Sequence, residues 1–344
     1  MDVRRFGPPA LAAATLTAAL AVTGCGSVHD SGGNSSGGAT QTKKSGTLRI
    51  AVVPKAVGFD YWEQVRKGAK CASDKAKDVD MQWDGVTAET DVTGQVNLLQ
   101  NFVTQGVDGL VYAATDAKVL ANVTKQAQQS GTDVVNIDSG TNPQPKDVPL
   151  FATDNVAAAK QVAGLLSKAV GPQGGDIAFI PFQAGTNTND EREAGFKAGL
   201  KKFPKLKLVA QQSSQSDYNK ALQVTQDILT AHPDLDGIFA ANEPGVLGAA
   251  EAVRQAGKAG KVEIVGWDAS PDEIKGVREG VISALIVQNP FRMGYDGVNA
   301  VVDELRNGTK PQNEDTGVTI VTKQNIDDPK VQAVLKPSCA HPPV

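Results

Sequence analysis

The stretch TLRIAVVPKAVGFDYWEQVRKGAK (residues 47–70) joins a β-branched run to a loop of polar and aromatic residues, and then to a segment with helical periodicity. The first part predicts a strand, and the last part predicts the helix that follows it. The same alternation recurs as far as residue 321. Repeated strand–helix units of this kind predict an α/β fold with a parallel sheet.

Eleven candidate strands follow this pattern, from residues 48–53 to residues 318–321. They are continuous apolar runs rather than alternations, which is typical of sheets covered by helices on both faces. Eleven strands exceed the usual size of one such sheet, and the turn-rich cluster NPQP (142–145) precedes a break near residues 146–153. We therefore predict two doubly wound lobes.

The residues that follow the strands are the candidates for ligand binding, because ligands of open α/β sheets bind beyond the carboxyl ends of the strands. Most of these residues are polar groups that make paired hydrogen bonds, or aromatics. Such groups suit the vicinal hydroxyls and the C–H faces of a small sugar or polyol. The candidates are Lys55, Phe59, Tyr61, Trp62, Asp138, Asn189, Asp190, Arg192, Asn242, Trp267, Asp268 and Gln288.

Each of these signals has a purely structural alternative. Tyr61 and Trp62 are also suited to anchor a core at the start of a helix. Helix N-capping alone would explain Asp138, Asn242 and Asp268 at such positions. The convergence of many candidates is what favours a binding site.

The N-terminus carries an export signal. Arg4 and Arg5 precede an apolar run over about residues 10–22, which is shorter than the ~20 residues of a bilayer span and predicts a signal peptide over residues 1–24. VTGC (22–25) resembles the bacterial lipobox, which implies that Cys25 is acylated and begins the mature chain; an ordinary soluble signal peptide is the alternative. Residues 25–46 then predict a lipidated cysteine and a flexible tether rich in Gly and Ser. The expected location is extracytoplasmic, anchored to the cell membrane by lipid.

Charge argues against nucleic acid as a partner. The formal net charge is −4, and no block of Lys and Arg stands out in the region expected to fold. The basic surface that nucleic-acid binding requires is therefore not predicted.

Cysteine usage predicts one disulfide. Of the three cysteines, Cys71 and Cys339 remain if Cys25 is acylated, and an oxidising compartment favours their pairing. Two unpaired thiols are the alternative.

Catalytic motifs are missing from the sequence. The three histidines are His29 in the tether, His232 beside a proline at a predicted helix end, and His341 in the tail. Signatures for dinucleotide, nucleotide, acyl-transfer and zinc chemistry do not occur, so no catalytic residue, cofactor or metal is predicted. Glycoside cleavage by a pair of carboxylates remains a remote alternative.

Several ordered stretches resemble periplasmic sugar-binding proteins of the ribose-binding type, a family related to the effector domains of the lactose-repressor class. They include NID (136–138), ATDN (152–155), AANE (240–243), VGWD (265–268) and QNP (288–290), and the likeness covers about residues 47–325. The family fold implies an N-terminal lobe of residues 47–152 and 290–312, a C-terminal lobe of residues 153–289 and 313–326, and a tail of residues 327–344. It also implies hinge crossings near Thr153, near Asn289 and near residues 307–316.

The resemblance also assigns roles to the candidate residues. It implies that Tyr61 and Trp62 cover one face of a sugar ring and that Trp267 lies against the other. Hydroxyls would then bond to a shared set of polar groups: Asp138, Asn242, Asp268 and Gln288.

The sequence departs from the ribose binders at four positions. They carry Arg where this chain has Ser139 and Asp190, Ser where it has Lys55, and an aromatic where it has Ser216. The pair PK (54–55) instead resembles the subgroup that binds rhamnose or autoinducer-2, in which that Lys and an acidic residue at the Asp190 position face the ligand. Arg192 matches a family arginine that serves to brace its loop.

The resemblance implies a monomeric solute-binding lipoprotein that delivers its ligand to the permease of an ABC importer. The lobes are expected to close around the ligand. A lipoprotein that reports a sugar or signal to a membrane sensor is the alternative. A repressor role is excluded, because the sequence has an export signal and no helix-turn-helix segment.

Overall fold

The structure, a computed structural model, describes residues 43–340 and Pro342. The strands are β1 (Leu48–Val53), β2 (Val79–Trp83), β3 (Gly109–Tyr112), β4 (Asp133–Ile137), β5 (Leu150–Ala152), β6 (Gly175–Ile180), β7 (Leu206–Gln211), β8 (Gly237–Ala240), β9 (Glu263–Trp267), β10 (Ala284–Val287), β11 (Glu314–Asp315) and β12 (Thr319–Val321). The helices are α1 (Asp60–Lys75), α2 (Val92–Thr104), α3 (Ala117–Gln129), α4 (Asn155–Val170), α5 (Asn187–Leu200), α6 (Tyr218–Ala231), α7 (Glu243–Gln255), α8 (Pro271–Glu279), α9 (Pro290–Asn307) and α10 (Pro329–Leu335).

These strands form two six-stranded sheets, one in each lobe. The first has the order β11-β5-β4-β3-β1-β2, and the second has the order β12-β10-β9-β8-β6-β7. The strand pairs are parallel except for β10 and β12, which are antiparallel. The prediction of two parallel-sheet α/β lobes is confirmed.

Strand β1 shows why the strands are apolar throughout. Ile50 and Val52 pack into a cluster with α1 and α9 on one face of the first sheet. Ala51 and Val53 pack into a second cluster with α2 and α3 on the opposite face. Because successive side chains point to opposite faces, a sheet that is covered on both sides favours apolar residues at successive positions; the exception in β1 is Arg49, which is exposed.

The chain crosses between the lobes three times. It passes from β5 to α4 at Thr153 and Asp154, from β10 to α9 at Gln288 and Asn289, and from β11 to β12 at residues 316–318. The predicted boundary after residue 312 is wrong, since β11 pairs with β5 and keeps residues 314 and 315 in the first sheet.

Both ends of the described chain contact the folded lobes. Lys44, in the predicted tether, bonds through its Nζ to Asp108 Oδ1 at 2.8 Å. The structure contains the predicted disulfide between Cys71 of α1 and Cys339 of the tail, with the Cα atoms 5.5 Å apart. The predicted signal peptide, the predicted acylated Cys25 and the tether up to residue 42 lie outside the described residues, and so does His341. Within the described part of the chain, no helix has the length and apolar character needed to span a bilayer.

Candidate ligand-binding site

The candidate site is a cavity at the carboxyl ends of both sheets. The first lobe contributes Lys55, Phe59, Tyr61, Trp62, Glu89 and Asp138 to its wall, and the second lobe contributes Phe182, Arg192, Asn242, Glu243, Pro244 and Asp268. Gln288 joins the wall from a crossing between the lobes. The cavity volume is about 20 Å³, which is room for about one water molecule. Residues of both lobes therefore lie in contact around it.

Two aspartates occupy equivalent positions in the lobes. Asp138 follows β4 with φ 56°, and Asp268 follows β9 with φ 82°. Asp tolerates this left-handed region better than most residues, and such conformations concentrate at functional sites. Each backbone N–H bonds to a carbonyl of the next strand, that of Phe151 or that of Ile286, at 2.9 Å. The same local geometry thus directs one carboxylate from each lobe into the cavity.

On the first-lobe side, Asp138 holds two groups in place. Its Oδ1 accepts a hydrogen bond from the Tyr61 hydroxyl at 2.8 Å, and its Oδ2 lies 3.0 Å from Lys55 Nζ. Lys55 also donates to Thr188 Oγ1 of the second lobe at 3.1 Å. Burial, reinforced by the charge of Asp138, raises the pKa of Tyr61 well above its ordinary value. Tyr61 is consequently a neutral hydrogen-bond donor.

On the second-lobe side, Asp268 is the centre of a smaller network. Its Oδ1 accepts from Gln288 Nε2 at 2.7 Å, and its Oδ2 accepts from the Glu243 backbone N–H at 3.2 Å. Burial raises the pKa of Asp268 to about 6, although nearby Arg192 favours the charged form.

Arg192 braces the second lobe. Its Nε donates to Asn155 Oδ1 at 2.8 Å, and its Nη1 donates to the Ala241 carbonyl at 2.7 Å. Its guanidinium carbon lies 4.2 Å from the ring centroid of Trp267, a cation–π contact. Trp267 is fully buried in the apolar cluster below and is not part of the cavity wall. In this conformation Arg192, rather than Trp267, forms the surface on that side.

Two further candidates lie away from the cavity. Asn189 is buried and bonds to its own loop: its Oδ1 accepts from the Phe182 backbone N–H at 2.9 Å, and its Nδ2 donates to Asp190 at 3.2 Å. Asp190 is exposed. Nine of the twelve predicted residues are thus brought together around the cavity, and Asn189, Asp190 and Trp267 are not.

Both structural alternatives hold in part. Asn242 caps α7 through Oδ1, which accepts from the Gly245 N–H at 3.2 Å, while its Nδ2 faces the Ser216 hydroxyl at 3.0 Å. Tyr61 and Trp62 belong to the apolar cluster of the first lobe and also line the cavity. Asp138 and Asp268 do not cap helices; Ser270 caps α8 instead.

The wall includes residues that are not among the ligand-binding candidates predicted from the sequence. Glu243 follows Asn242 directly, and Phe182 follows β6, so their positions at strand ends could have identified them. Glu89 lies in the loop after β2, so its position beyond the end of a strand could also have identified it. Pro244 packs at the start of α7.

Glu243 links the lobes through the start of α1. The α1 N-cap, Phe59, makes no side-chain cap bond, so the first backbone N–H groups of the helix need other acceptors. Glu243 supplies them from the second lobe: its Oε1 accepts from Asp60 N at 3.1 Å and its Oε2 from Tyr61 N at 2.8 Å. Burial raises the pKa of Glu243 to about 7, against the effect of these two bonds.

Two polar atoms at the cavity lack hydrogen-bond partners. They are Asp138 Oδ2, whose ion pair with Lys55 is not aligned as a hydrogen bond, and Gln288 Oε1. Buried polar atoms are almost always paired in native proteins, so Gln288 Oε1 is available to accept a hydrogen bond from a ligand. Within residues 43–340 no three His, Cys, Asp or Glu side chains converge as metal ligands would.

Known proteins match this architecture closely. The family model of the periplasmic binding protein domain matches residues 50–310. The D-allose-binding periplasmic protein of Escherichia coli is 30% identical over 275 residues, which cover 78% of this chain and 88% of that protein. The D-ribose/D-allose-binding protein of Pseudomonas aeruginosa is 32% identical over 276 residues, covering 78% and 86%.

A solved structure extends the similarity to three dimensions. An ABC transporter solute-binding protein from Agrobacterium vitis, with bound D-fucose, superposes with a TM-score of 0.80 at 38% identity. The match covers 84% of this chain and 100% of that one. These relatives are solute-binding proteins and not enzymes, so the glycoside-cleaving alternative is set aside.

Proposed function

Because this chain belongs to the periplasmic binding protein family, as a sugar-binding protein of type I, we propose that it is the lipid-anchored binding component of an ABC importer. In this proposal it captures a monosaccharide between its lobes and delivers it to the membrane permease. The observation that carries the proposal is the pair of equivalent carboxylates, Asp138 and Asp268, which face one cavity from separate sheets.

The chemistry of the cavity favours a neutral sugar. Its wall carries four carboxylates, those of Glu89, Asp138, Glu243 and Asp268, against two cations. One cation, Lys55, is paired with Asp138, and the other, Arg192, is held by Asn155 and Ala241. An anionic sugar would meet this excess of negative charge without a free cation, whereas neutral hydroxyls donate well to carboxylates. D-allose, D-ribose and D-fucose, the sugars of the relatives, are all neutral.

Closure of the lobes is part of the proposed mechanism. A cavity of about 20 Å³ is too small for a sugar ring, so the lobes must separate at the three crossings before a ligand can enter. Closure around the ligand then removes water from both of its faces and strengthens the hydrogen bonds between them. A ligand that bridges both lobes stabilises the closed state, which the permease can recognise.

Membrane attachment rests on the sequence of the N-terminus. Acylation of Cys25 would hold the protein at the outer face of the membrane, with residues 26–42 between the lipid and the first described residues. Mass spectrometry of the protein from membranes should find a lipid on Cys25, and a chain that starts elsewhere without lipid would disprove the anchor.

The function is tested by thermal shift with D-allose, D-ribose, D-fucose and a charged control, D-glucuronate. A ligand at a hundred times its dissociation constant stabilises the folded protein by about 2.7 kcal/mol, which raises the melting temperature by several degrees. We expect at least one neutral sugar to do so and D-glucuronate to have no effect. Failure of all three neutral sugars, or a shift with D-glucuronate alone, would contradict the proposal.

A further inference from the structure

Glu89 is a buried carboxylate in the cavity wall, in addition to the two equivalent aspartates, Asp138 and Asp268. It comes from the loop between β2 and α2 and is 4% exposed. Its Oε2 accepts a hydrogen bond from the Ser216 hydroxyl of the second lobe at 2.5 Å. Ser216 in turn accepts from Asn242 Nδ2 at 3.0 Å. A chain of three polar groups therefore runs from the first lobe to Asn242 across the cavity.

The loop that presents Ser216 is held in an unusual conformation. Gln215 and Ser216 both have φ 55°, in the left-handed region that non-glycine residues seldom adopt. The flanking residue Ser214 fixes this loop, because its N–H and its hydroxyl both bond to the Pro181 carbonyl, at 2.8 and 3.2 Å. Two consecutive strained residues that are fixed by their neighbours indicate a functional position.

The position of Glu89 and Ser216 indicates which part of a bound ligand Glu89 would contact. Glu89 lines the closed cavity, whereas Ser216 lines a groove of about 1030 Å³ that opens beside it. Phe59, Glu243 and Pro244 border both spaces. The Glu89–Ser216 pair consequently lies at the end of the cavity that meets this groove, which is its outer end.

We propose that Glu89 is a specificity-determining residue that accepts a hydrogen bond from a hydroxyl at the outer end of the bound sugar. The inference rests on the proposed function. A carboxylate only accepts hydrogen bonds, so it favours a sugar with a hydroxyl at that point and disfavours one that has hydrogen or a methyl group there.

Calorimetric titration of D-allose, D-ribose and D-fucose into the wild type, Glu89→Gln and Glu63→Gln tests the inference. Glu63 lies on the outer side of α1 and is the matched control. For Glu89→Gln we expect the best sugar to lose at least about tenfold in affinity, as for a hydrogen bond to a charged group, and the others to lose less. Thermal melts of both variants confirm folding.

Three outcomes would overturn the inference. If Glu89 served only to hold the lobes together, all three sugars would lose affinity by the same factor. If it served neither purpose, the affinities would not change. If the wild type bound none of the sugars, the proposed function would fail first, and this inference with it.

A separate observation concerns the C-terminal tail, which is attached to both lobes. Helix α10 packs on the second lobe, where Val331 is buried in the same apolar cluster as Val321. Arg278 of α8 holds the start of this tail through two bonds to Asp327, at 3.1 and 2.7 Å. Four residues beyond the end of α10, Cys339 is joined to Cys71 of α1 in the first lobe.

The segment between the end of α10 and Cys339 runs beside the second crossing between the lobes. Pro337 and Val334 line a small cavity together with Asn289 of the second crossing and Gln64 of α1. Four residues span at most about 14 Å when fully extended, so the lobes cannot separate far at this point. We infer that the disulfide-linked tail is a covalent strap that limits how far the lobes open.

Small-angle scattering of the sugar-free protein tests the strap. We expect a larger radius of gyration for Cys71→Ser/Cys339→Ser than for the wild type, and the same increase in a chain truncated after Leu335, which keeps α10. Saturation with the best-binding sugar should remove the difference, because the closed state is the same. Equal radii in all three proteins without sugar, or a difference that persists with sugar, would overturn the inference.

Discussion

Asp138 and Asp268 show how a single backbone conformation builds a binding site twice. Each stands one residue beyond a central strand, in the left-handed region, with its N–H paired to the neighbouring strand. Both carboxylates line the cavity between the lobes. The two sheets thus present matching acceptors to a ligand with hydroxyls on opposite sides.

Asp138→Asn should weaken sugar binding by tenfold or more. The variant removes the charge that pairs with Lys55 and that accepts ligand hydroxyls, and a hydrogen bond to a charged group is worth about 1.5–3 kcal/mol. Calorimetry measures the change, with Asp227→Asn as the control because Asp227 is exposed on α6. Unchanged affinity in Asp138→Asn would remove Asp138 from the site.

Glu243 should make stability depend on pH. Burial raises its pKa to about 7, against about 4.3 in an unfolded chain, so the folded protein binds this proton more tightly. Its ionisation therefore lowers the free energy of unfolding as pH rises from about 4.3 to about 7, and the loss is complete above that window.

Denaturant titrations at pH 5 and pH 7.5 measure this effect. We expect the loss of stability between the two to be smaller in Glu243→Gln than in the wild type, since glutamine does not titrate. Glu251→Gln on the same helix is the control and should behave as the wild type. An equal loss in Glu243→Gln would show that Glu243 is not the group responsible.

The sequence predicted the candidate site as far as strand ends determine it. Lys55, Tyr61, Asp138, Asn242 and Asp268 were found because the residue that follows a parallel strand must lie at the ligand edge. Side-chain direction is what the sequence did not supply. Trp267, the last residue of β9, packs in the apolar cluster beside Arg192, and Asp190, in the first turn of α5, is exposed.

At the scale of elements, the packing of α1 on α9 depends on glycine. A Cβ on Gly68 would lie 1.9 Å from the Phe291 carbonyl oxygen, and one on Gly294 would lie 2.1 Å from that of Val65. The two helices are in backbone contact, and Tyr61 of α1 and the second crossing, which leads into α9, lie together at one end of this pair.

Gly68→Ala should destabilise the protein by about 1–3 kcal/mol or more, because the added methyl group forces the helices apart. Gly164→Ala is the control on α4, where a Cβ would lie 3.5 Å from the Phe203 ring in ordinary contact. It should keep or slightly increase stability, as alanine favours helices over glycine. Equal melting temperatures for the two variants would contradict the close packing.

The strands were more predictable than the helices. The mostly apolar run at residues 48–53 placed β1 at its observed bounds, because burial on both faces favours apolar residues. Helices α8 and α10 and strand β11 are short elements that the sequence pattern does not reveal. Helix α8 has nine residues, α10 has seven and β11 has two, too few for a periodic pattern to stand out.

At the scale of the whole molecule, three crossings and one disulfide define how the lobes relate. The family resemblance implied three crossings, with the third placed slightly too early in the chain, and cysteine usage predicted the disulfide; neither indicated that the tail packs on the second lobe before reaching the first. That arrangement depends on contacts between residues far apart in the chain, such as Arg278 with Asp327.

The cavity is where side chains, helices and lobes of the molecule meet. Residues of both lobes meet there in bonds that need no ligand, including Glu243 with α1 and Lys55 with Thr188. A sugar must replace or extend these bonds, and Gln288 Oε1, which has no hydrogen-bond partner, is one place where it can do so.

A crystal structure with the sugar that gives the largest thermal shift tests this account most directly. We predict one sugar molecule between the lobes, with hydroxyls within hydrogen-bond distance of Asp138 from the first lobe and of Asp268 or Gln288 from the second. A sugar bound to one lobe alone, or outside the space between the two sheets, would contradict it.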